Sequence, residues 1–544
     1  MTSANPDPGA AGRGAYVIGV DVGTASARAG VFDLRGDMVA SAKHEITLFH
    51  AAGAIVEQSS GEIWRAVCLA VRAAVAQAKL RPEQVAGIGF DATCSLVVLG
   101  AGGEALAVGP SEQAERNVIV WMDHRALVQA QRINATSHPV LQYVGGRISP
   151  EMETPKLLWL LENRPRVFAG AWQFFDLTDF LTWRATGSLA RSTCTVTCKW
   201  TYLAHERRWD ETYFRAIGLG LLADEAFARI GQTVVDPGTP LGQGLSAAAA
   251  LELGLRRGTP VGAGAIDAHA GGIGTVGADG DPQACLAYVF GTSSCTMTTT
   301  RHPVFVPGVW GPYFSAMVPG AWLNEGGQSV AGAAIEQLLS MHPAAAAAQR
   351  RAQDAGQSLP ALLADLAAQG AGTLSDTLGL AAGVHVVPEF LGNRAPHADP
   401  GARAVIAGLG MAQDLDSLVA LYVAGLCGIG YGLRQIIEAQ AAAGAPIERI
   451  VISGGAGRHD LVRQLLADAT GRPLLATRAQ EPVLLGAAML GAVAAAAFDD
   501  VPSAMAAMSK VSRTYPPAQG EAAASHEARF RAFEKLQRVA REIR

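Results

Sequence analysis

The sequence predicts an α/β protein built of two large domains. Three observations lead there. A strand, a glycine–threonine turn and a return strand occupy residues 16–32, and the same layout recurs at 284–300. Strand-like apolar runs and helical patterns share most of the 544-residue chain. Hydrophobic residues make up 49 % and charged residues 17 %, which suits a sizeable core and excludes wholesale disorder. Length alone would suggest about three to four domains. The repeated hairpin reduces that to two, with helical insertions.

Residues 1–12 are rich in Pro, Gly, Ala and Ser and lack an apolar core, so they read as a disordered tail and not as a signal peptide. Residues 16–22 read as a buried strand, followed by a turn at Gly23, a second strand over 27–33 and a third over 38–42. Three strands with tight turns form a meander. An amphipathic helix follows over 61–78, then a strand over 85–90 that ends at Asp91. Helices dominate 125–230, and a short strand at 261–265 leads to Asp267 and the glycines at 271, 272 and 274. The pattern restarts with a strand over 284–290, the turn Gly291-Thr292-Ser293-Ser294 and a return strand over 295–300. Later come a strand at 449–452, a turn at Gly454-Gly455 and a helix over 461–469. The Ala- and Gln-rich stretch 340–372 reads as an exposed helical insertion. Residues 482–498 are the most membrane-like, but they begin at a proline and fall short of the ~20 residues needed to span. A helix of small residues packed inside a domain is expected there.

Charge narrows the function classes. There are 43 Lys and Arg against 48 Asp and Glu, a net of −5, with no long basic run. A nucleic-acid partner is therefore not expected, and neither is a membrane. An anionic substrate would need local positive charge or backbone N–H groups. The seven cysteines are odd in number and scattered, and only Cys194 and Cys198 lie close. That pattern suits a reduced, cytoplasmic protein without a zinc site.

The turns carry the chemistry. Asp21 ends a strand and is followed by Gly23, Thr24 and, further on, Arg28. A carboxylate there can hold hydrated Mg²⁺, and turn N–H groups can face a phosphate. A hairpin with a polar tip is the structural alternative. Gly291, Thr292 and Ser293 offer N–H groups and hydroxyls without negative charge, which suits phosphate oxygens. Gly454 and Gly455 lie between a strand and a helix, where a nucleotide can lie against backbone. No Walker or Rossmann fingerprint is present.

In this order the three turns resemble the FGGY family of carbohydrate kinases, within the actin/hexokinase/Hsp70 superfamily. Gly19-Val-Asp21-Val-Gly23-Thr24 with Arg28 is similar to the family's first phosphate motif, Gly291-Thr292-Ser293 to the second, and Gly454-Gly455 to the adenosine motif. Lys156-Leu-Leu-Trp159, Asp176-Leu-Thr-Asp179, the stretch from Gln464 to Gly471 and Leu485-Gly486-Ala487-Ala488 are also of the family type. Ala456 and His459 depart from it, standing where the family often has Gly and Asn or Ser.

The resemblance implies two RNase H-like domains around an interdomain cleft. The first, 13–277, would hold the sugar and the second, 278–515, most of the nucleotide, with a C-terminal helical extension over 516–544. It makes Asp267 the general base. Without it, an N-cap aspartate weighs equally. His269 reads as structural. Thr93, Cys94 and Ser95 occupy the family's sugar loop in a form similar to the D-ribulokinase branch. Cys94 would line the pocket without acting as a nucleophile. Lys199 resembles a substrate-contacting lysine, with a solvated lysine as the alternative, and Glu325 lies in a segment that reaches the sugar. Asp123 and Arg125 make either the family's segment or only an internal ion pair. The stretch 388–396 reads as a structural loop near the nucleotide.

The expected activity is ATP-dependent phosphorylation of a pentulose, D-ribulose to D-ribulose 5-phosphate, with ATP and Mg²⁺. L-Ribulose, D-xylulose or another ketose or polyol are the narrower alternatives, and an ATP-driven conformational switch is the broader one. The partners implied are the sugar and ATP, and a homodimer is compatible with the reading.

Overall fold

The computed structural model describes residues 15–279 and 281–544. The expected tail, 1–12, lies outside the described residues. Two mixed sheets carry the fold. In the first half, β1 (Tyr16–Val22), β2 (Ser26–Asp33) and β3 (Met38–Glu45) form the meander. Helix α1 (Ser60–Gln77) follows, then β4 (Val85–Ala92). Helices α2 (Leu177–Thr186) and α3 (Thr193–Trp200) precede β5 (Ala265–Ile266) and α4 (Asp267–Val276). The second half contains β6 (Cys285–Phe290), β7 (Ser294–Thr300), β8 (Trp310–Phe314) and β9 (Trp322–Gln328). Helices α5 (Gly332–Ser340) and α6 (Leu415–Ala442) lead to β10 (Arg449–Ser453). Then come α7 (Asp460–Thr470), β11 (Leu474–Thr477), α8 (Pro482–Ala494), β12 (Val511–Tyr515) and α9 (Gly520–Glu542).

The first sheet runs β5-β4-β1-β2-β3, and the second runs β8-β9-β7-β6-β10-β11-β12. Within the second, β11-β10-β6-β7-β9 repeats the first sheet strand for strand. In both, the three strands at one end are parallel and the next two antiparallel. The duplication expected from two hairpins is therefore a duplication of a whole sheet. Strand β1 is buried at every position, as a strand covered on both faces requires. Helix α1 is capped by Ser59, whose hydroxyl accepts the Glu62 N–H, and buries Ile63, Val67, Val71 and Ala74 at helical spacing.

Two helices join the halves. Helix α4 follows the first sheet in sequence yet lies against β6, β7 and β10 of the second; α8 belongs to the second half yet lies on β1 and β4 of the first. They cross where side chains are missing. A Cβ on Gly486 would stand 1.9 Å from the Ala270 carbonyl oxygen, and one on Gly274 2.0 Å from that of Pro482. The segment at 482–498 thus opens with a helix, Pro482–Ala494, that packs between the two halves and not inside one of them. Its small residues permit backbone-to-backbone approach on two sides.

The insertion differs from expectation too. Helices over Ala345–Asp354 and Leu359–Ala368 bury Ala348, Ala352, Leu362 and Leu363 in the second domain's core. Alanine-rich composition resembled exposed filler, while the leucines supply a buried face. Helix α6 is long and apolar enough to cross a membrane, but most of its apolar stretch is buried inside the protein. Helix α9 packs Phe530 and Phe533 onto the second domain, and its His526 shares a hydrogen bond with Tyr431 at 2.9 Å.

Candidate active site

The strand register places the first acidic group. Asp21 faces Asp91 on the parallel neighbour and Arg28 on the antiparallel one. The Arg28 Nε donates to Asp21 Oδ2 at 2.9 Å, and its Nη1 donates to Glu481 Oε2 at 2.7 Å. Glu481 is the N-cap residue of α8, so Arg28 orients Asp21 and ties the first hairpin to the second half of the chain. Asp91 is fully buried. Burial, Asp21 and Asp267 together push its carboxyl well above the usual carboxylate range. Sequence reasoning passed over Asp91 because a strand-end aspartate carries no signal of its neighbours.

Asp267 opens α4. Ile266 holds the N-cap position, so the capping alternative does not describe it. Its Oδ1 accepts the Ala268 N–H at 2.7 Å, and the residue is partly accessible. Its low-polarity surroundings and the charge of Asp21 push it up to about 6. A partly accessible carboxylate of raised basicity can accept a proton near neutral pH.

Mg²⁺ takes oxygen ligands, one or two of them carboxylates, and keeps its waters. Asp21, near the end of β1 and just before the open turn N–H groups, offers one such carboxylate; among the described residues no group of three or more His, Cys, Asp or Glu could hold a metal ion by itself. Burial first, and the charge of Asp21 second, raise Asp91 and Asp267, and a cation beside Asp21 would relieve the second cause.

A second group lies around Lys199. This residue lies in the last turn of α3 and is buried, with its ammonium 4.9 Å from the Trp310 ring centre. It forms no ion pair among the described residues. Burial disfavours its charge, while Cys94 and Glu325 favour it, and the balance keeps its pKa above the lysine range. The solvated-lysine alternative is therefore wrong. Glu325, on β9, is also buried; burial raises it, but Lys199 and His269 pull it down to about 2. His269 Nε2 lies 3.3 Å from Glu325 Oε2.

Thr93, Cys94 and Ser95 form the turn after β4. Thr93 Oγ1 lies 3.3 Å from Ser95 Oγ, which accepts the Trp121 N–H at 3.1 Å. Burial pushes the Cys94 thiol up to about 12, so it lines the site and is no nucleophile. Arg394 stacks on Trp310, 4.7 Å from the ring centre, and interacts electrostatically with Glu325 and Glu151. The loop at 388–396 thus reaches the Lys199 group, not the nucleotide side. Asp123 and Arg125 make a buried internal pair, 2.7 Å apart, with Glu57 as a further partner.

The turns differ in detail from the simple expectation. Gly23 donates its N–H to Ser26 O at 3.0 Å, and Gly291 donates its own to Ser293 O at the same distance. These glycines close the turns. The N–H groups of Thr24, Ala25, Thr292 and Ser293 have no acceptor among the described residues, so they are the ones open to a phosphate. Thr24 is anchored by the Trp121 indole N–H, which donates to its hydroxyl at 3.0 Å.

A cavity of about 710 Å³ runs from Gly291 and Thr292 past Glu336 and Tyr422 to Gly455 and Ala456. Gly454 has φ +96°, and a Cβ there would stand 2.4 Å from the Phe290 carbonyl oxygen. His459 also lines the cavity. Its Nδ1 caps α7 by accepting the Leu461 N–H at 3.1 Å, and its Nε2 meets Asp365 at 3.1 Å. The insertion helix thereby forms one wall of the cavity, through Ser358, Pro360 and Ala361.

A duplicated α/β sheet with glycine turns at its strand ends and a carboxylate at a helix start is the fold this chain shares with solved sugar kinases. The chain matches the FGGY carbohydrate kinase N-terminal domain over residues 16–274 and the C-terminal domain over 286–495. It is 47 % identical over 518 residues to the human FGGY carbohydrate kinase domain-containing protein, covering 92 % of each. To a D-ribulokinase of Saccharomyces cerevisiae it is 38 % identical over 521 residues, covering 89 % of this chain and 72 % of that one. A xylulose kinase from Rhodospirillum rubrum shares the fold at a TM-score of 0.79 and 21 % identity, over 97 % of this chain and 99 % of that one. The chain belongs to the FGGY family of carbohydrate kinases.

One consequence is a pH dependence. If Asp267 accepts the proton it must be ionised, and burial with the charge of Asp21 pushes its carboxyl up to about 6. A profile of kcat/KM should be level near neutrality and fall about tenfold per pH unit below that value.

Proposed function

We propose that this chain transfers the γ-phosphoryl group of Mg·ATP to a terminal hydroxyl of a pentulose, D-ribulose before others. The supporting observation is the pairing of Asp267 with a separate buried Lys199–Glu325 couple. A neutral ketose offers hydroxyl donors to Glu325 and carbonyl or hydroxyl acceptors to Lys199. Asp267 takes the proton of the attacking hydroxyl as the bond to phosphorus forms. The N–H groups of the two turns hold phosphate oxygens, and the cavity beside Gly454 and Gly455 takes the nucleoside. Mg²⁺, when bound, supplies charge neutralisation on the phosphates; Asp21, held by Arg28, would carry it through water. Closing of the cleft excludes water, the competing acceptor. A cytoplasmic setting belongs to the same reading, on the odd number and scattered placement of the cysteines in the sequence.

The sugar preference rests on the 38 % identity to a protein named D-ribulokinase. ADP release, measured over D-ribulose, L-ribulose, D-xylulose and a set of polyols, tests it. D-Ribulose should give the highest kcat/KM, by about tenfold or more. A higher value for another sugar would move the assignment within the family. ADP release indifferent to every sugar would favour the switch reading.

A further inference from the structure

His269 is two residues beyond the proposed base and fully buried. It touches the other domain. Its Nε2 is 3.3 Å from Glu325 Oε2 on β9, and its Nδ1 is 3.1 Å from Cys194 Sγ on α3. Cys194 is tied in turn to the strand end that carries Asp267. The Ile266 N–H donates to its Sγ at 3.3 Å, and Ser192, the N-cap of α3, donates its hydroxyl to Gly264 O at 2.6 Å. We infer that His269 is a positioning residue for sugar binding, which Cys194 holds on one ring nitrogen so that the other fixes Glu325 across the cleft. The inference rests on the sugar-kinase reading, since Glu325 is there a sugar contact.

The ring bridges two elements of different halves. Cys194 Sγ, which accepts the Ile266 N–H, faces Nδ1 from α3 at 3.1 Å, and Cys198 Sγ lies 4.0 Å from the same nitrogen. Glu325 Oε2 faces Nε2 from β9, and Lys199 acts on Glu325 from α3. With both ring nitrogens engaged, the imidazole has one orientation and Glu325 has a fixed partner.

His269→Ala and Cys194→Ala are the test. The first removes the partner of Glu325, and the second removes the group that holds the ring. In each the KM for D-ribulose should rise roughly tenfold while kcat changes much less. The double variant should be no worse than His269→Ala alone, because Cys194 acts through the ring. His269→Gln, which keeps a donor toward Glu325, should recover part of the lost KM. A KM equal to wild type in both single variants, or effects that simply add in the double variant, would overturn the inference. Wild-type protein that turns over no sugar would instead count against the kinase reading alone.

Discussion

Asp267→Asn is expected to bind Mg·ATP as the wild type does and to lose sugar phosphorylation by between roughly a hundredfold and ten-thousandfold. The reason is local. A sugar hydroxyl is a weak nucleophile, and its proton must leave as the bond to phosphorus forms. Asp267 is the partly accessible member of the three carboxyl groups, and its basicity is raised to about 6. Asparagine keeps the side-chain oxygen that accepts the Ala268 N–H but cannot take a proton. The cavity proposed for the nucleoside is lined by residues of the second domain, so nucleotide affinity should hold. Isothermal titration with a non-hydrolysable ATP analogue and steady-state kinetics separate the two effects. Near-normal turnover would remove Asp267 from the role of base.

The second large effect concerns stability. Gly486→Ala should lower the melting temperature by about 5 to 10 °C or prevent soluble expression, from a cost on the order of 3 kcal/mol. The added Cβ would lie 1.9 Å from a backbone oxygen, that of Ala270, and 2.6 Å from its carbonyl carbon. Backbone cannot rotate out of the way as a side chain can, so α4 and α8 must separate. Separation disturbs Asp267 at the start of α4 and Glu481 at the start of α8 together. Gly170→Ala is the control: nothing lies within 4 Å of its added Cβ, and its melting temperature should stay within about 2 °C. Equal melting temperatures for the two variants would contradict the account of the crossing.

Local signals carried much of the fold. Both hairpins were legible because a fully apolar strand and a small-residue turn are contiguous in sequence. Their membership in two equivalent sheets was not, because β4, β5, β10 and β11 join through long crossovers. The site divides the same way. Asp21, Asp267 and the glycine turns sit in recognisable local patterns. The pairings His269–Glu325 and Arg28–Glu481 join residues 56 and 453 positions apart, so only the folded chain brings them together. His269 looked structural because nothing near it in sequence named a partner. The alanine-rich insertion misled by composition; its leucines bury a face in the core, and Ser358, Pro360 and Ala361 line the cavity beside Gly455. Some of the described glycines serve turns such as Gly454, and others the close contacts of α4 and α8.

The central claim is that phosphate leaves ATP for a sugar hydroxyl held by Asp267. Phosphorus NMR of a reaction containing ATP, Mg²⁺, D-ribulose and the wild-type chain, beside the same reaction with Asp267→Asn, tests this most directly. The account predicts a phosphate monoester on the terminal sugar carbon, formed at the rate of ADP release by the wild type and nearly absent with the variant. Inorganic phosphate as the sole product, or ester formed equally fast by both proteins, would contradict it.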